Sequence, residues 1–252
     1  MSFDVPADAY TRFMGRFSEP LAVQFADLAQ ARAGQRALDV GCGPGALTAE
    51  LVKRLGNEAV SAIDPSAPFV AAIRSRFPEV DIRSGAAEQL PFPDDTFDVS
   101  LAQLVVHFMA DPVAGLSEMA RVTRPGGVVA ASVWDSAGDG SPLDTFWRAV
   151  REIDPGAQDE SQLSGAREGD LAELCGAAGL KDIEPTSLTV TVGFPTFADW
   201  WEPFTLGVGP AGAHVARLNE AQREVLRSRC QQLFPTAPFE IAASAWSVRA
   251  RA

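Results

Sequence analysis

The sequence is poor in cysteine, histidine and tyrosine. Three cysteines, two histidines and a single tyrosine occur among 252 residues. Cys42, Cys175 and Cys230 lie far apart, without the close pairs that hold zinc and without the dense pattern of a disulfide framework. We therefore expect no metal centre, no structural disulfide and a reducing compartment.

Basic residues and long apolar runs are also scarce. Lysine and arginine number 21 against 33 aspartates and glutamates, which gives a formal net charge of −12. A chain this acidic repels a phosphate backbone, so we expect no nucleic-acid partner. No apolar run approaches the roughly 20 residues that cross a bilayer, and the first residues lack the basic and apolar regions of a signal peptide. We expect a cytoplasmic protein without a membrane span.

Short apolar runs alternate with helical patterns along the first half of the chain. The predicted strands cover about 36–40, 59–63, 80–83, 97–102 and 128–134. Such alternation predicts an α/β fold with a parallel, doubly wound sheet. Ligands of these sheets bind beyond the carboxyl ends of the strands. The loops at those ends, where we expect the binding site, are 41–45, 64–66, 85–90 and 103–108.

Three regions of the chain differ in pattern. Residues 1–35 are predicted to form an N-terminal helical cap segment, in which Pro20 suits the first position of a helix. Residues 36–135 carry the alternating pattern and are predicted to be the cofactor-binding core. Residues 136–252 are predicted to complete the sheet and to cover the site.

The last region holds two predicted strands that are far apart in sequence. Alternating apolar residues predict strands at about 182–194 and 238–250. The segment of about 195–236 between them is too long for a hairpin loop. It is therefore predicted to be a helical insertion that caps the substrate, with one helix near 217–233.

A glycine-rich loop follows the first predicted strand. Gly41, Gly43 and Gly45 alternate with other residues, and Asp39 stands two residues before the first of them. Glycine is needed where the backbone turns at positive φ or where a ligand approaches it closely. The spacing G-x-G-x-G differs from the dinucleotide fingerprint G-x-G-x-x-G, and a carboxylate at Asp39 favours a cationic ligand over a pyrophosphate. Taken alone, a turn that binds no ligand is an equal alternative.

Several segments resemble one enzyme family in the right order. The stretch from Asp39 to Thr48, D-V-G-C-G-P-G-A-L-T, resembles motif I of the class I S-adenosylmethionine (SAM) dependent methyltransferases. Later segments that resemble the same family run over 85–92, 94–99, 103–111 and 121–127. Each motif is weak alone, but the ordered set over about 36–135 is specific. The resemblance implies a Rossmann-like seven-stranded sheet whose last strand is antiparallel, with a helical insertion between the last two strands.

The resemblance also implies a cofactor and the residues that bind it. The methyl donor would be S-adenosyl-L-methionine and the product S-adenosyl-L-homocysteine (SAH). The predicted cofactor-binding residues at the strand ends are Asp39, Gly41, Cys42, Gly43, Asp64, Pro65, Ser66, Ala86, Ala87, Glu88 and Gln103. Asp64 would accept hydrogen bonds from both ribose hydroxyls, which NAD and SAM share.

The chain departs from the family pattern at Ala86. An aspartate usually binds the adenine amino group from this position. Adenine would here depend on backbone groups of Ala86 and Ala87, with Glu88 as a substitute. A solvated loop carboxylate is an equal alternative for Glu88.

The N-terminal segment carries a second resemblance. Residues 10–18 resemble the Y-x-R-F-M-G-R-aromatic-S stretch of a bacterial subset of these enzymes. Such segments fold over the cofactor, which implies that Tyr10, Met14 and Arg16 bind it. The guanidinium of Arg16 suits the SAM carboxylate, and an ordinary exposed arginine is the alternative.

The acceptor side of the site carries fewer signals. His107 falls at the mouth of the expected pocket and is the candidate general base, with a packing role as the alternative. Trp134, Trp200 and Trp201 are the other predicted acceptor-pocket residues, although the core of a helical cap would also use such aromatic residues.

Three functions are compatible with these patterns. The first is a SAM-dependent methyltransferase that acts on a small-molecule acceptor. The alternatives are an NAD-dependent oxidoreductase and a non-catalytic SAM-binding protein of the same fold, because fold alone does not prove activity. These motifs leave the acceptor, the kind of atom methylated and the oligomeric state open.

Overall fold

The computed structural model describes residues 6–252, and its centre is a seven-stranded sheet. The strands are β1 (Ala37–Val40), β2 (Val60–Asp64), β3 (Asp81–Ser84), β4 (Phe97–Gln103), β5 (Thr123–Trp134), β6 (Lys181–Phe194) and β7 (Phe239–Arg251). Their spatial order is β3-β2-β1-β4-β5-β7-β6. Strands β1 to β5 pair in parallel, whereas β7 is antiparallel to both β5 and β6. The predicted sheet with an antiparallel last strand is confirmed.

The buried strands explain why the chain adopts this sheet. Every residue of β1 and β2 is buried, as expected for parallel strands that helices cover on both faces. In register, Val40 lies opposite Ile63 and Asp39 opposite Leu101. Strand β1 therefore lies between β2 and β4, where the winding of the sheet reverses. The carboxyl ends of neighbouring strands diverge at such a point and leave a crevice for a ligand.

Ten α-helices are described. They are α1 (Ala7–Tyr10), α2 (Arg16–Leu28), α3 (Ala46–Leu55), α4 (Ala67–Arg76), α5 (Pro112–Val122), α6 (Asp144–Ile153), α7 (Asp170–Ala177), α8 (Phe197–Trp201), α9 (Gly209–Arg217) and α10 (Glu220–Leu233). The prediction that Pro20 starts the first clear helix is wrong, because Pro20 lies inside α2. A π-helical turn at Thr11–Gly15 joins α1 to α2, and buried Phe13, Met14 and Phe17 anchor this helical start against the core.

The insertion between β6 and β7 is helical, as predicted, but it contains more helices than expected. The helix predicted near 217–233 is α10, and α8 and α9 precede it within the insertion. Helix α10 starts at a capping box, in which the side chains of Asn219 and Gln222 each accept a hydrogen bond from the other's backbone amide. That N-terminal signal is visible in the sequence. The insertion, together with α6 and residues 9–21, encloses one apolar cluster above the sheet.

Candidate active site

Two adjoining cavities lie at the carboxyl ends of the strands. The first, called here the strand-end cleft, has a volume of about 410 Å³. Its lining residues are Tyr10, Gly41, Asp64, Pro65, Ser66, Gly85, Ala86, Ala87, Glu88, Gln103, Leu104, Val105, Phe108, Met109 and Ala110. The second, called the inner cavity, is smaller, at about 40 Å³. Both cavities are lined by Tyr10, Leu104 and Phe108, so the two cavities meet at these three side chains.

The glycine-rich loop forms the floor of the cleft where β1 ends. Gly41 has a φ of +70°, and a Cβ at this position would lie 2.3 Å from Cγ2 of Val105. The close approach of the two strand ends therefore requires glycine at this position. Gly43 has a φ of +52°, and a Cβ there would meet nothing within 4 Å. The backbone at Gly43 thus faces open space that a ligand can occupy.

Asp64 joins the loops that follow β1 and β2. Its carboxylate accepts hydrogen bonds from the amide of Gly43 at Oδ2 and from the amide of Ser66 at Oδ1, both at 2.8 Å. Burial raises the pKa of Asp64, and the two backbone hydrogen bonds oppose that shift. Each carboxylate oxygen has a second lone pair. Asp64 can therefore position the loop and still accept hydrogen bonds from a ligand in the cleft.

Asp39 lies beneath the loop instead of in the cleft. It is 1% exposed, and its Oδ2 accepts a hydrogen bond of 2.5 Å from the hydroxyl of Thr48 in α3. Burial raises the pKa of Asp39 to about 7, helped by Asp64 and opposed by the Thr48 bond. Cys42 is also buried, and burial raises the pKa of its thiol. Neither residue lines the cleft, so their predicted cofactor contacts stay predictions.

The loops after β3 and β4 form the opposite side of the cleft. Ala86 and Ala87 line it, together with Glu88. One oxygen of Glu88 accepts hydrogen bonds from the amides of Ala110 at 2.7 Å and Asp111 at 3.2 Å. Glu88 is therefore a bridge between the two loops, a role that neither predicted alternative described.

Gln103 and Leu104 mark the end of β4. The Nε2 of Gln103 donates to the carbonyl of Ser18 at 2.9 Å, whereas its Oε1 is buried without a hydrogen-bond partner. Leu104 has a φ of +60°, which is an outlier for a bulky residue. Strained residues of this kind cluster at ligand sites. The sequence carries no signal for the backbone of Leu104, because leucine has no preference for this conformation.

The inner cavity is mostly apolar, with three polar groups of interest. His107 lines it, and burial lowers the pKa of its imidazole to about 3, so the ring is neutral. Trp134 is 6% exposed and also lines it. Glu160 lines it from the irregular segment that precedes α7, and burial raises the pKa of its carboxyl to about 7, opposed by a hydrogen bond from Trp147. Sequence reasoning missed Glu160, because no motif surrounds it.

Residues of the N-terminal segment line both cavities, and their predicted contact with a cofactor stays a prediction. Tyr10 lines both, and burial, with the charges of Asp64 and Glu160, raises the pKa of its phenol. Met14 lines the inner cavity. The exposed Arg16 lines neither; its guanidinium lies over the ring of Phe194, 5.3 Å from the centroid.

Trp200 and Trp201 lie away from the cavity walls. They are 3% and 5% exposed, and they pack with Phe204 in the apolar cluster of the cap. The structure thus places them in the packing that supports the inner cavity. Their predicted contact with an acceptor stays a prediction.

Neither a metal site nor a membrane-spanning helix is found among the described residues. Over 6–252, no group of three or more His, Cys, Asp or Glu side chains is arranged to hold a metal ion. Within the same range, every helix is too short or too polar to cross a bilayer. Cys42, Cys175 and Cys230 are buried free thiols.

Comparison with known proteins places the core in one family. Residues 38–131 match the sequence profile of the methyltransferase domain. A probable S-adenosylmethionine-dependent methyltransferase from Mycolicibacterium smegmatis is 32% identical over 167 residues, which cover 64% of this chain and 63% of that protein. The chain spans from about a third to just under two thirds of the length of the curated relatives it matches.

Solved structures share the whole architecture. A putative methyltransferase from an antibiotic biosynthesis pathway of Anabaena variabilis has a TM-score of 0.62 at 18% identity, over 92% of this chain and 97% of that one. An N-methyltransferase of Haemonchus contortus, solved with phosphomonomethylethanolamine and SAH, has a TM-score of 0.60 at 18% identity, over 97% of this chain and 57% of that one. At these identities the likeness shows the fold alone. Residues 38–131, which hold the glycine loop and strands β1 to β4, are thus similar to the methyltransferase domain.

Proposed function

We propose that this chain transfers a methyl group from SAM, bound in the strand-end cleft, to a small molecule in the inner cavity. One observation carries the proposal: the cleft and the cavity adjoin and share the lining residues Tyr10, Leu104 and Phe108. Direct transfer then requires these side chains to border an opening through which the donor methyl faces the acceptor. The small size of the inner cavity and the acidic net charge favour a small acceptor over a nucleic acid.

The residues of the cleft fit SAM. Its charged lining residues are Asp64 and Glu88, and no lysine or arginine lines it, which suits a cationic sulfonium ligand. Asp64 has lone pairs left for ribose hydroxyls, and the orphaned Oε1 of Gln103 would accept a hydrogen bond from the ammonium group. The cleft volume of about 410 Å³ lies within the usual range for cofactor pockets.

When bound, SAM supplies a methyl group on a positively charged sulfur, so the donor is already activated. The chain's own task is then alignment and exclusion of water, which account for most of the rate in such reactions. Tyr10 and the N-terminal segment close the cleft over β1 and β4. The catalytic role of His107 stays a prediction, and its low pKa makes the imidazole a weak base.

Calorimetric titration with SAH and with NADH tests the cofactor. We expect SAH to bind and NADH not to bind. Asp64→Asn replaces one accepting oxygen with a donor, breaks one of the two loop hydrogen bonds and should weaken SAH binding about tenfold or more. Asp95→Asn, on an exposed turn at a φ of +54° that asparagine tolerates, is the matched control and should leave SAH binding unchanged.

Two results would contradict the proposal. Binding of NADH without SAH would favour an oxidoreductase. SAH binding with no methyl transfer across a broad panel of alcohols, phenols and amines would favour a protein that binds SAM without catalysis.

A further inference from the structure

Two polar atoms of the inner cavity lack hydrogen-bond partners within the described residues. They are the indole Nε1 of Trp134 and the imidazole Nδ1 of His107, and both are sealed from solvent. A buried polar atom without a partner lowers the stability of the fold. Both residues line the inner cavity. A ligand that offers polar groups there would recover hydrogen bonds that the fold leaves unmade.

The charge of the cavity is one-sided. Glu160 lines it, and no lysine or arginine does so. His107 is neutral because burial lowers its pKa. The only hydrogen bond that the described residues give to the Glu160 side chain is a long one, 3.4 Å, from Nε1 of Trp147. A carboxylate ligand would therefore meet repulsion from Glu160 with no cation beside it to compensate.

A third cavity, called the outer cavity, adjoins the inner one. It has a volume of about 590 Å³ and shares Glu160, Gly209 and Pro210 with the inner cavity. It shares no lining residue with the strand-end cleft. The inner cavity therefore adjoins both of the others, and Glu160 lies at its border with the outer cavity.

The outer cavity is also predominantly acidic. Besides Glu160, its charged lining residues are Asp154, Asp159 and Arg217. His214 lines it too, and burial lowers the pKa of that imidazole. One arginine of the lining thus stands against three carboxyl groups, of which Asp159 is ion-paired with Arg151.

We propose that the inner cavity binds a neutral or cationic acceptor whose hydroxyl or amine group donates a hydrogen bond to Glu160, and that it rejects carboxylic acids. The proposal rests on the methyltransferase function proposed above and adds the chemical class of the acceptor. The apolar side chains of the cavity, among them Phe13, Met14 and Leu143, favour a hydrophobic body behind that donor group.

Three two-carbon probes, matched to the small volume of the inner cavity, test the charge preference: ethanol, ethylamine and acetate. Binding of each to the full chain, saturated with SAH at pH 8, is measured by ligand-observed NMR titration. We expect ethanol and ethylamine to bind about tenfold more tightly than acetate. Equal or tighter binding of acetate by the unaltered chain overturns the proposal.

Variants assign the preference to Glu160. Glu160→Gln keeps the size and removes the charge, and it should lower the ratio of ethylamine to acetate affinity about tenfold. Glu168→Gln changes an exposed glutamate of the same segment and should leave the ratio unchanged. A ratio that stays constant in Glu160→Gln overturns the role of Glu160.

A second variant keeps the test independent of the folding of Glu160→Gln. Trp134→Phe removes the indole N–H and should weaken ethanol binding about threefold or more while SAH binding stays constant. An unchanged ethanol affinity overturns the proposal. SAH titration of the same samples separates the two hypotheses. If the unaltered chain does not bind SAH, the proposed function is wrong. If it binds SAH but does not distinguish the neutral and cationic probes from the anionic one, only the proposed acceptor class is wrong.

Discussion

The two halves of this molecule build their sites in different ways. In the core of residues 36–135, the site consists of short loops at strand ends, and backbone groups make many of the contacts, as Gly41, Gly43 and Ser66 do. In residues 136–252, the cavity walls are side chains from helices and irregular segments that meet only in the folded protein, as Ala211 of α9 and Glu160 do. The matched family domain, 38–131, stops short of this second half.

This difference shows that the strand-end cleft is formed by local backbone geometry, whereas the inner cavity is formed by packing between distant segments. A backbone cradle depends on glycine and on the geometry of strand ends, so its motif is local in the sequence. A cavity between side chains depends on packing among distant segments, so no local motif describes it. The carboxyls Asp39 and Glu160 show the contrast, because burial raises the pKa of each to about 7. Asp39 belongs to the glycine-loop motif, whereas Glu160 lies in a loop whose sequence carries no motif.

Among the variants that test this comparison, the largest loss of stability is expected at Gly41. In Gly41→Ala, the new Cβ would overlap the side chain of Val105 at a φ of +70°. We expect overlap and strain together to lower the free energy of unfolding by about 4 kcal/mol. The matched change in the cap is Gly207→Ala, at a φ of +75° with nothing within 4 Å of the Cβ, which should cost about 1 kcal/mol. Urea unfolding measures both, and equal losses would break the comparison.

A smaller effect is expected from the buried carboxyl of the core. Because the pKa of Asp39 is raised from 3.8 to about 7 in the folded chain, the folded state holds a proton that the unfolded state releases between about pH 4 and 7. Stability from this group therefore falls as pH rises through that window. Asp39→Asn keeps an oxygen that can accept from Thr48 and removes the titration.

The stability of Asp39→Asn relative to the unaltered chain should accordingly rise by roughly 3 kcal/mol between pH 4 and 8. Chemical unfolding at several pH values measures this difference, and Asp95→Asn, an exposed turn residue, should show no such trend. A flat difference for Asp39→Asn would mean that the carboxyl is ionised in the folded chain at acidic pH.

The smallest effect is expected at Arg16, which belongs to the N-terminal segment that precedes both regions in the sequence. Its guanidinium lies over the ring of Phe194. Arg16→Ala should therefore remove a contact worth about 0.5–1 kcal/mol and change the SAH affinity by less than about twofold. Arg12→Ala, at another exposed arginine of the segment, is the control. If Arg16→Ala weakens SAH about tenfold, the predicted ion pair with the SAM carboxylate is supported instead.

The sequence was most informative where function and secondary structure share the same short stretch. The apolar runs predicted the parallel strands, and the spacing of Gly41 and Asp64 predicted two loops that the structure joins through one hydrogen bond. The capping residues Asn219 and Gln222 also carried a signal that marks the start of α10 at Glu220. Such features depend on residues within a few positions of one another, so their physics is local.

Other properties were decided only by the tertiary structure. The sequence by itself determined the sheet, the glycine cradle and the similarity of residues 38–131 to a methyltransferase domain, because strand pattern, turn geometry and motif order are set by neighbours along the chain. The orphaned Oε1 of Gln103, the positive φ of Leu104 and the inward position of Glu160 depend on what packs around each residue. Burial, and with it the charge and hydrogen bonding of a side chain, is a property of the folded chain, and for that reason the acceptor cavity could be described only from the structure.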